Sequence, residues 1–240
     1  MKKQYIIYVF LISLLSHGDL MAQKNKLFPK NELYKDKGLT NLICKLQYAL
    51  VKKDKNFILS IIDNNIENGF DGNKGVEEFK RIWKLDSGGS EIWLVMSKII
   101  SLGGVYINYS SESGAKSSFV FPYVYDLTLP NDTMDMYEIV AITGENVNLR
   151  EKPDASSKVV GKLSYDIAIC DYEKSTPSFS ESQNNEKNYC GNKEWYYITT
   201  LDNSKKGYVF WDYIWSPGSY RMFFSNINGQ WKIVSLINGD

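Results

Sequence analysis

Five aromatic side chains in the last quarter of the chain have the types and spacing for chemistry: Tyr196, Tyr208, Trp211, Tyr213 and Trp215. That chemistry is recognition, since flat apolar faces with a polar tip suit peptides and sugars. Strand alternation sets Tyr208, Phe210 and Asp212 on one side, and Val209, Trp211 and Tyr213 on the other, so only some of the five can reach a ligand. The alternative role for the set is packing in the core and rim of its own domain. Arg150 either pairs with a carboxylate of its own domain or holds a ligand carboxylate as a bidentate donor.

Residue sets for catalysis are sparse. A glycosidase needs two carboxylates held about 5–9.5 Å apart across a sugar. Asp63, Glu67, Asp71, Glu77 and Glu78 are grouped in sequence, yet nothing marks a pair, and acids opening a helix are ordinary first-turn chemistry. Asp71-Gly72-Asn73 begins like a calcium loop, but Lys74 and Gly75 follow and the later glutamate is missing, so no metal is expected. The one histidine, His17, sits close behind an amino-terminal apolar run. Lys2 and Lys3, the run Tyr5 to Leu15 and the small residue in Leu20-Met21-Ala22 read as a signal peptide over 1–22, cleaved after Ala22. The run is well short of the ~20 residues that span a bilayer. A mature chain starting at Gln23 carries no histidine, which removes Ser-His-Asp and Cys-His nucleophiles and histidine-ligated zinc. No cofactor is expected, and the destination is periplasmic or secreted.

The elements that must position the aromatic set fall into two groups. The formal net charge is zero, with 28 residues of each sign, so no basic field exists to collect nucleic acid. Nor is a stable membrane anchor expected after cleavage. Residues 23–37 read as a loosely held leader. Leu39, Leu42, Ile43, Leu46, Ala49 and Leu50 predict an amphipathic helix. Asp54 caps a second helix carrying Phe57, Ile58, Ile61 and Ile62. Val76, Phe79, Ile82 and Trp83 mark a third, and Ser90 caps a fourth over Ile92, Trp93, Met96, Ile99 and Ile100. Residues 64–75 read as a loop. Strands are expected over 105–109 and 118–125, the second at an edge or broken by a bulge because of Pro122; 126–135 reads as a linker. Cys44, among Leu42, Ile43 and Leu46, reads as a small core residue.

Between these elements and the end of the chain stand four blocks: Val147-Asn148-Leu149-Arg150-Glu151-Lys152-Pro153; Ser157-Lys158-Val159-Val160-Gly161-Lys162-Leu163; Trp195-Tyr196-Tyr197-Ile198; and Gly207-Tyr208-Val209-Phe210-Trp211-Asp212-Tyr213-Ile214. In order and rough spacing they resemble a bacterial SH3 (SH3b) domain, over about a third of the chain. The resemblance implies a small all-β SH3-like barrel over 137–216, with Val147, Leu149, Val159, Leu163, Ile167, Ile169, Ile198 and Val209 inward. The polar tract 175–188 departs from the compact family pattern and reads as a surface loop. Cys170 and Cys190 bracket it and are read as a disulfide, with two free buried thiols as the alternative; a bridge across such a loop contributes about 3 kcal/mol.

Residues 220–225 and 230–237, joined by Asn228-Gly229, form a hairpin beyond the SH3b pattern. An isolated hairpin is marginal, so it is expected to return to the strands near Val105 and Phe121, the alternative being an extension of the SH3b sheet. The expected architecture is an α+β N-terminal domain over 23–135, helices on a small antiparallel sheet, completed by 217–240. The expected function is an exported, non-catalytic binding protein recognising a peptidoglycan peptide or an envelope protein. A cell-wall hydrolase with a histidine-free site, and a structural or inhibitory partner protein, are the rivals.

Overall fold

The computed structural model describes residues 25–69, 72–87, 89–107, 118–128, 138–176 and 195–239. The expected signal peptide, Asp71, Cys190 and most of the 175–188 tract lie outside them. Among the described residues no helix is long and apolar enough to cross a membrane.

The chain is mixed α+β. Helix α1 (Lys37–Lys52) starts where the Asp36 carboxylate accepts the Leu39 N–H at 2.8 Å, satisfying one of the donors a helix start leaves bare. It ends at Lys53, in the left-handed region at φ 53°. Asp54 repeats the device for α2 (Lys55–Ile61), accepting from Phe57 N at 3.0 Å. Helix α3 (Val76–Ile82) has Glu77 and Glu78 in its first turn. Helix α4 (Ile92–Ser101) has no side-chain cap. The Ser90 hydroxyl expected to cap it donates instead to the Trp83 carbonyl at 2.5 Å.

One sheet has five strands in the order β1-β12-β11-β3-β2. They are β1 (Ile62–Glu67), β2 (Val105–Ile107), β3 (Ser118–Phe121), β11 (Arg221–Ile227) and β12 (Gln230–Ile237). The carboxy-terminal hairpin supplies its middle: Met222 lies opposite Phe121, Phe224 opposite Phe119, and β3 pairs in turn with β2. β1 joins β12 in parallel, where a loop was expected. β3 is an interior strand, not an edge, and it stops at Phe121 because Pro122 has no N–H to donate. One sheet face is covered by helices: Leu39, Ile43 and Leu46 of α1, Phe79 of α3, and Ile92, Met96 and Ile99 of α4 pack with Phe119, Phe121, Met222, Phe224 and Ile233.

The other sheet has seven strands in the order β10-β4-β7-β8-β9-β5-β6. These are β4 (Ile139–Ile142), β5 (Val147–Arg150), β6 (Val159–Leu163), β7 (Ile167–Thr176), β8 (Trp195–Thr200), β9 (Lys206–Phe210) and β10 (Ile214–Trp215). The closed barrel implied by the motif blocks is not found. Among the described residues the ladder ends at β6 on one side and β10 on the other. Val147, Leu149, Leu163, Ile198 and Val209 form its core as expected, joined by Val140, Ala168, Cys170 and Ile214. Three expected inward residues are placed otherwise. Val159 is 41% exposed, Ile169 is half-buried, and Ile167 packs between the two sheets. In β7 the register sets Ala168 against Thr200 and Cys170 against Ile198, so alternation turns Ile169 the other way.

A third cluster joins the sheets: Val105 and Val120 of the first, Ile139, Ala141 and Ile167 of the second, with Tyr123, Val124 and Leu127 between them. The segment expected to be a loose leader is tied to both. Ile167 N donates to Asn25 O and Leu27 N to Tyr165 O, each at 2.8 Å, while Glu32 N donates to Gly104 O at 2.9 Å. The Lys26 ammonium adds an ion pair to Asp166 at 3.2 Å.

Candidate recognition face

β8 and β9 each turn alternate residues into the core and out of it. Ile198 and Val209 fill the core, and Tyr196, opposite Val209, packs against it beside Tyr172. The residues between them face outward as two cross-strand pairs, Trp195 opposite Phe210 and Tyr197 opposite Tyr208. Their ring centroids are 5.3 and 5.1 Å apart, tilted and edge-to-face, as ring quadrupoles prefer. Trp211 extends the row, 6.0 Å from Phe210. The result is an outward stripe of five half-buried rings in two groups, Trp195 with Phe210 and Trp211, and Tyr197 with Tyr208. Gly207 permits the pairing beneath it: a Cβ there would sit 2.6 Å from the Arg150 carbonyl, and its φ of +153° suits glycine.

Cations border the stripe at both ends. At one end β7 takes extra residues between Asp171, which pairs with Tyr197, and Thr176, which pairs with Trp195. Bulges of this kind re-aim side chains. Here the Ser175 hydroxyl accepts the Tyr197 N–H at 3.0 Å and donates to the Asp171 carbonyl at 2.8 Å. The bulge carries Lys174 to 5.1 Å from the Tyr197 ring centre, ion-paired with Asp171. The Lys174 hydrogen bond holds the Asp171 carboxyl below its usual range. At the other end Lys98 of α4 lies 5.8 Å from the Trp211 ring centre, and donates to the Asp212 carbonyl at 2.8 Å and carboxylate at 2.5 Å. Arg150, opposite Tyr208, donates to the Ser157 carbonyl at 2.6 Å and so fastens the β5–β6 turn.

Of the five aromatics picked from the sequence, Tyr208 and Trp211 lie in this stripe. Tyr196 packs on the core, and Trp215 packs between the two sheets. Tyr213 is 46% exposed and lies away from the row, against Gly144. Sequence reasoning missed Trp195, Tyr197 and Phe210. The alternation that put Tyr208 and Phe210 on one side of β9, carried across to β8, would have found them. Cys170 is a buried free thiol, its Sγ 3.8 Å from Ser175 Oγ, with burial pushing it up to about 12. Cys44 is exposed, contrary to its reading as core.

The grouped carboxylates have local partners. Glu67 pairs with Lys74, Glu77 with Lys80 and Glu78 with Arg81, and Asp63 accepts the Asn65 N–H. Among the described residues no cluster of three His, Cys, Asp or Glu side chains could hold a metal. Flat rings edged by compensated charges suit stacking and hydrogen bonding to a ligand. Comparison of the chain with protein-family models, with curated proteins and with solved structures finds no match.

Proposed function

We propose that this is an exported, non-catalytic binding protein whose SH3b-like half recognises a cell-envelope ligand, a peptidoglycan peptide or an envelope protein. The observation that carries the reading is the outward stripe of Trp195, Phe210, Trp211, Tyr197 and Tyr208, with Lys98 and Lys174 at its ends. Ring faces supply apolar contact with little side-chain entropy to lose, and the flanking ion pairs orient polar groups of the ligand. The four motif blocks support the SH3b likeness, and the amino-terminal run supports export.

Co-sedimentation with intact sacculi tests it. The purified protein is expected to pellet with the wall. Trp211→Ala and Tyr197→Ala are each expected to release it roughly tenfold, at about 1–2 kcal/mol per anchor ring, with circular dichroism unchanged. Retention unaffected by both substitutions would remove the stripe as the binding face. Clearing of the suspension would show a hydrolase instead.

A further inference from the structure

The outward face of α1 carries an apolar stripe that the core does not use. Cys44, Tyr48 and Val51 follow one another at helical spacing, and Tyr48 and Val51 are 67% and 79% exposed. The opposite face, with Leu39, Ile43, Leu46 and Leu50, is already spent on the core. Beside Tyr48 a shallow cavity of ≈ 370 Å³ opens between α1 and α2, lined by Cys44, Lys45, Tyr48, Ala49, Asp54 and Phe57. Its floor is apolar and large enough for one side chain.

Positive charge outnumbers negative around it. Lys37, Lys45, Lys52 and Lys53 make no ion pair among the described residues, whereas nearby Lys35 and Lys55 are paired with Glu32 and Asp86. α1 itself contains no Asp or Glu. Two carboxylates adjoin it, Asp36 and the lining residue Asp54, each accepting a backbone N–H at a helix start, so the four lysines remain in excess. Lys52 lies 5.7 Å from the Tyr48 ring centre, so charge and apolar surface are interleaved. In a chain of zero net charge this is a local excess of positive charge around an apolar recess.

We propose that this face docks an acidic amphipathic segment of a partner protein, one apolar side chain entering the Ala49–Phe57 recess and flanking carboxylates meeting Lys45, Lys52 and Lys53. A bilayer is the poorer fit. Interfacial helices present a broad apolar face with large side chains, whereas this stripe is narrow and interrupted by a recess. A second copy would set one lysine field against another. The site is separate from the aromatic stripe and does not depend on its role.

The test uses the full chain and two synthetic helical peptides, one with leucines flanked by glutamates and the other with lysines replacing every glutamate. The alkylation rate of the exposed Cys44, followed on its own proteolytic fragment, reads occupancy. The glutamate peptide is expected to slow alkylation severalfold, and the lysine peptide is expected to leave it unchanged. In the K45E/K52E variant the glutamate peptide is expected to bind roughly tenfold more weakly and the lysine peptide to gain. Equal protection by both peptides, no protection by either, or protection insensitive to the charge reversal would overturn the proposal. So would stronger protection by phosphatidylglycerol vesicles, which would assign the face to a membrane. Protection that rises with protein concentration alone would assign it to self-association.

Discussion

Burial pushes the Cys170 thiol and the Tyr123 phenol each up to about 12, from ordinary values of 9.0 and 10.0. The folded state therefore holds these protons where the unfolded chain has lost them. The stability they contribute is complete below pH 9.0 and falls as pH rises, first through the thiol and from 10.0 also through the phenol. Urea midpoints for the reduced protein are expected to be flat to about pH 9 and to decline above it. Cys170→Ala is expected to move the onset to about pH 10. A Cys170–Cys190 bridge would remove this thiol, and the early decline would then be seen only after reduction. A second residue-scale constraint is packing at Gly104, where a Cβ would stand 2.4 Å from Phe119 Cε1 and 2.5 Å from the Val120 carbonyl. Neither neighbour can retreat, since Phe119 is fully buried and Val120 is paired in β3. Gly104→Ala is expected to cost about 1–3 kcal/mol in a denaturant titration, the usual range for overpacking.

At the scale of elements, β12 is the strand most of the first half depends on. Ile233 lies opposite Ile62 of β1 and Phe224 of β11, and is fully buried beneath the helices. Ile233→Ala is expected to cost about 2–5 kcal/mol, and chemical denaturation followed by the amide signal should show it. Elements of this kind were legible where one physical signal dominated. The apolar 3.6-residue pattern from Leu39 marked the first helix, and Asp54 before the next such pattern marked the second, whereas the Asp36 cap was hidden in a segment read as a leader. Asn228-Gly229 demanded a hairpin, and the marginal stability of an unaccompanied hairpin pointed to the early strands it meets. β1 was illegible for an equally definite reason. Its Asp63-Asn64-Asn65 run has poor strand propensity, and only Ile62 and Ile66 are buried. Its pairing is bent as well: Ile62 meets Ile233 and Glu67 meets Ser235, so five steps along β1 match two along β12. A strand held by its neighbour and not by its own pattern leaves little trace in sequence. The aromatic stripe was half legible, because alternation orders residues along one strand and pairing register decides which rings meet across two.

For the whole molecule, the question is how the two sheets act as one body. Among the described residues they are joined by the shared core of Val105, Val120, Ile139, Ala141 and Ile167, by the amino-terminal strap through Leu27, by the Lys98–Asp212 pair and by the Trp215 ring. The pair ties α4 to the end of the aromatic stripe, so the helical half helps to hold the proposed recognition face. Being partly exposed, it supplies position more than energy, about 1 kcal/mol or less. Trp215 adds energy, because its ring packs against the core of the first sheet and against the shared core at once. That makes it a structural residue, four positions beyond the ring proposed to bind. Trp215→Ala is expected to cost about 3 kcal/mol, at the lower end for tryptophan since the ring is half-buried. The loss falls on the junction and not within either core. Calorimetry is therefore expected to resolve one cooperative transition in the native protein and two in the variant, the second sheet keeping its own core. A single transition merely shifted downward would mean that the strap and the remaining shared core suffice to couple the halves. Sedimentation with sacculi separates the two tryptophans further: Trp211→Ala should lose retention at full stability, and Trp215→Ala should retain it below its first transition.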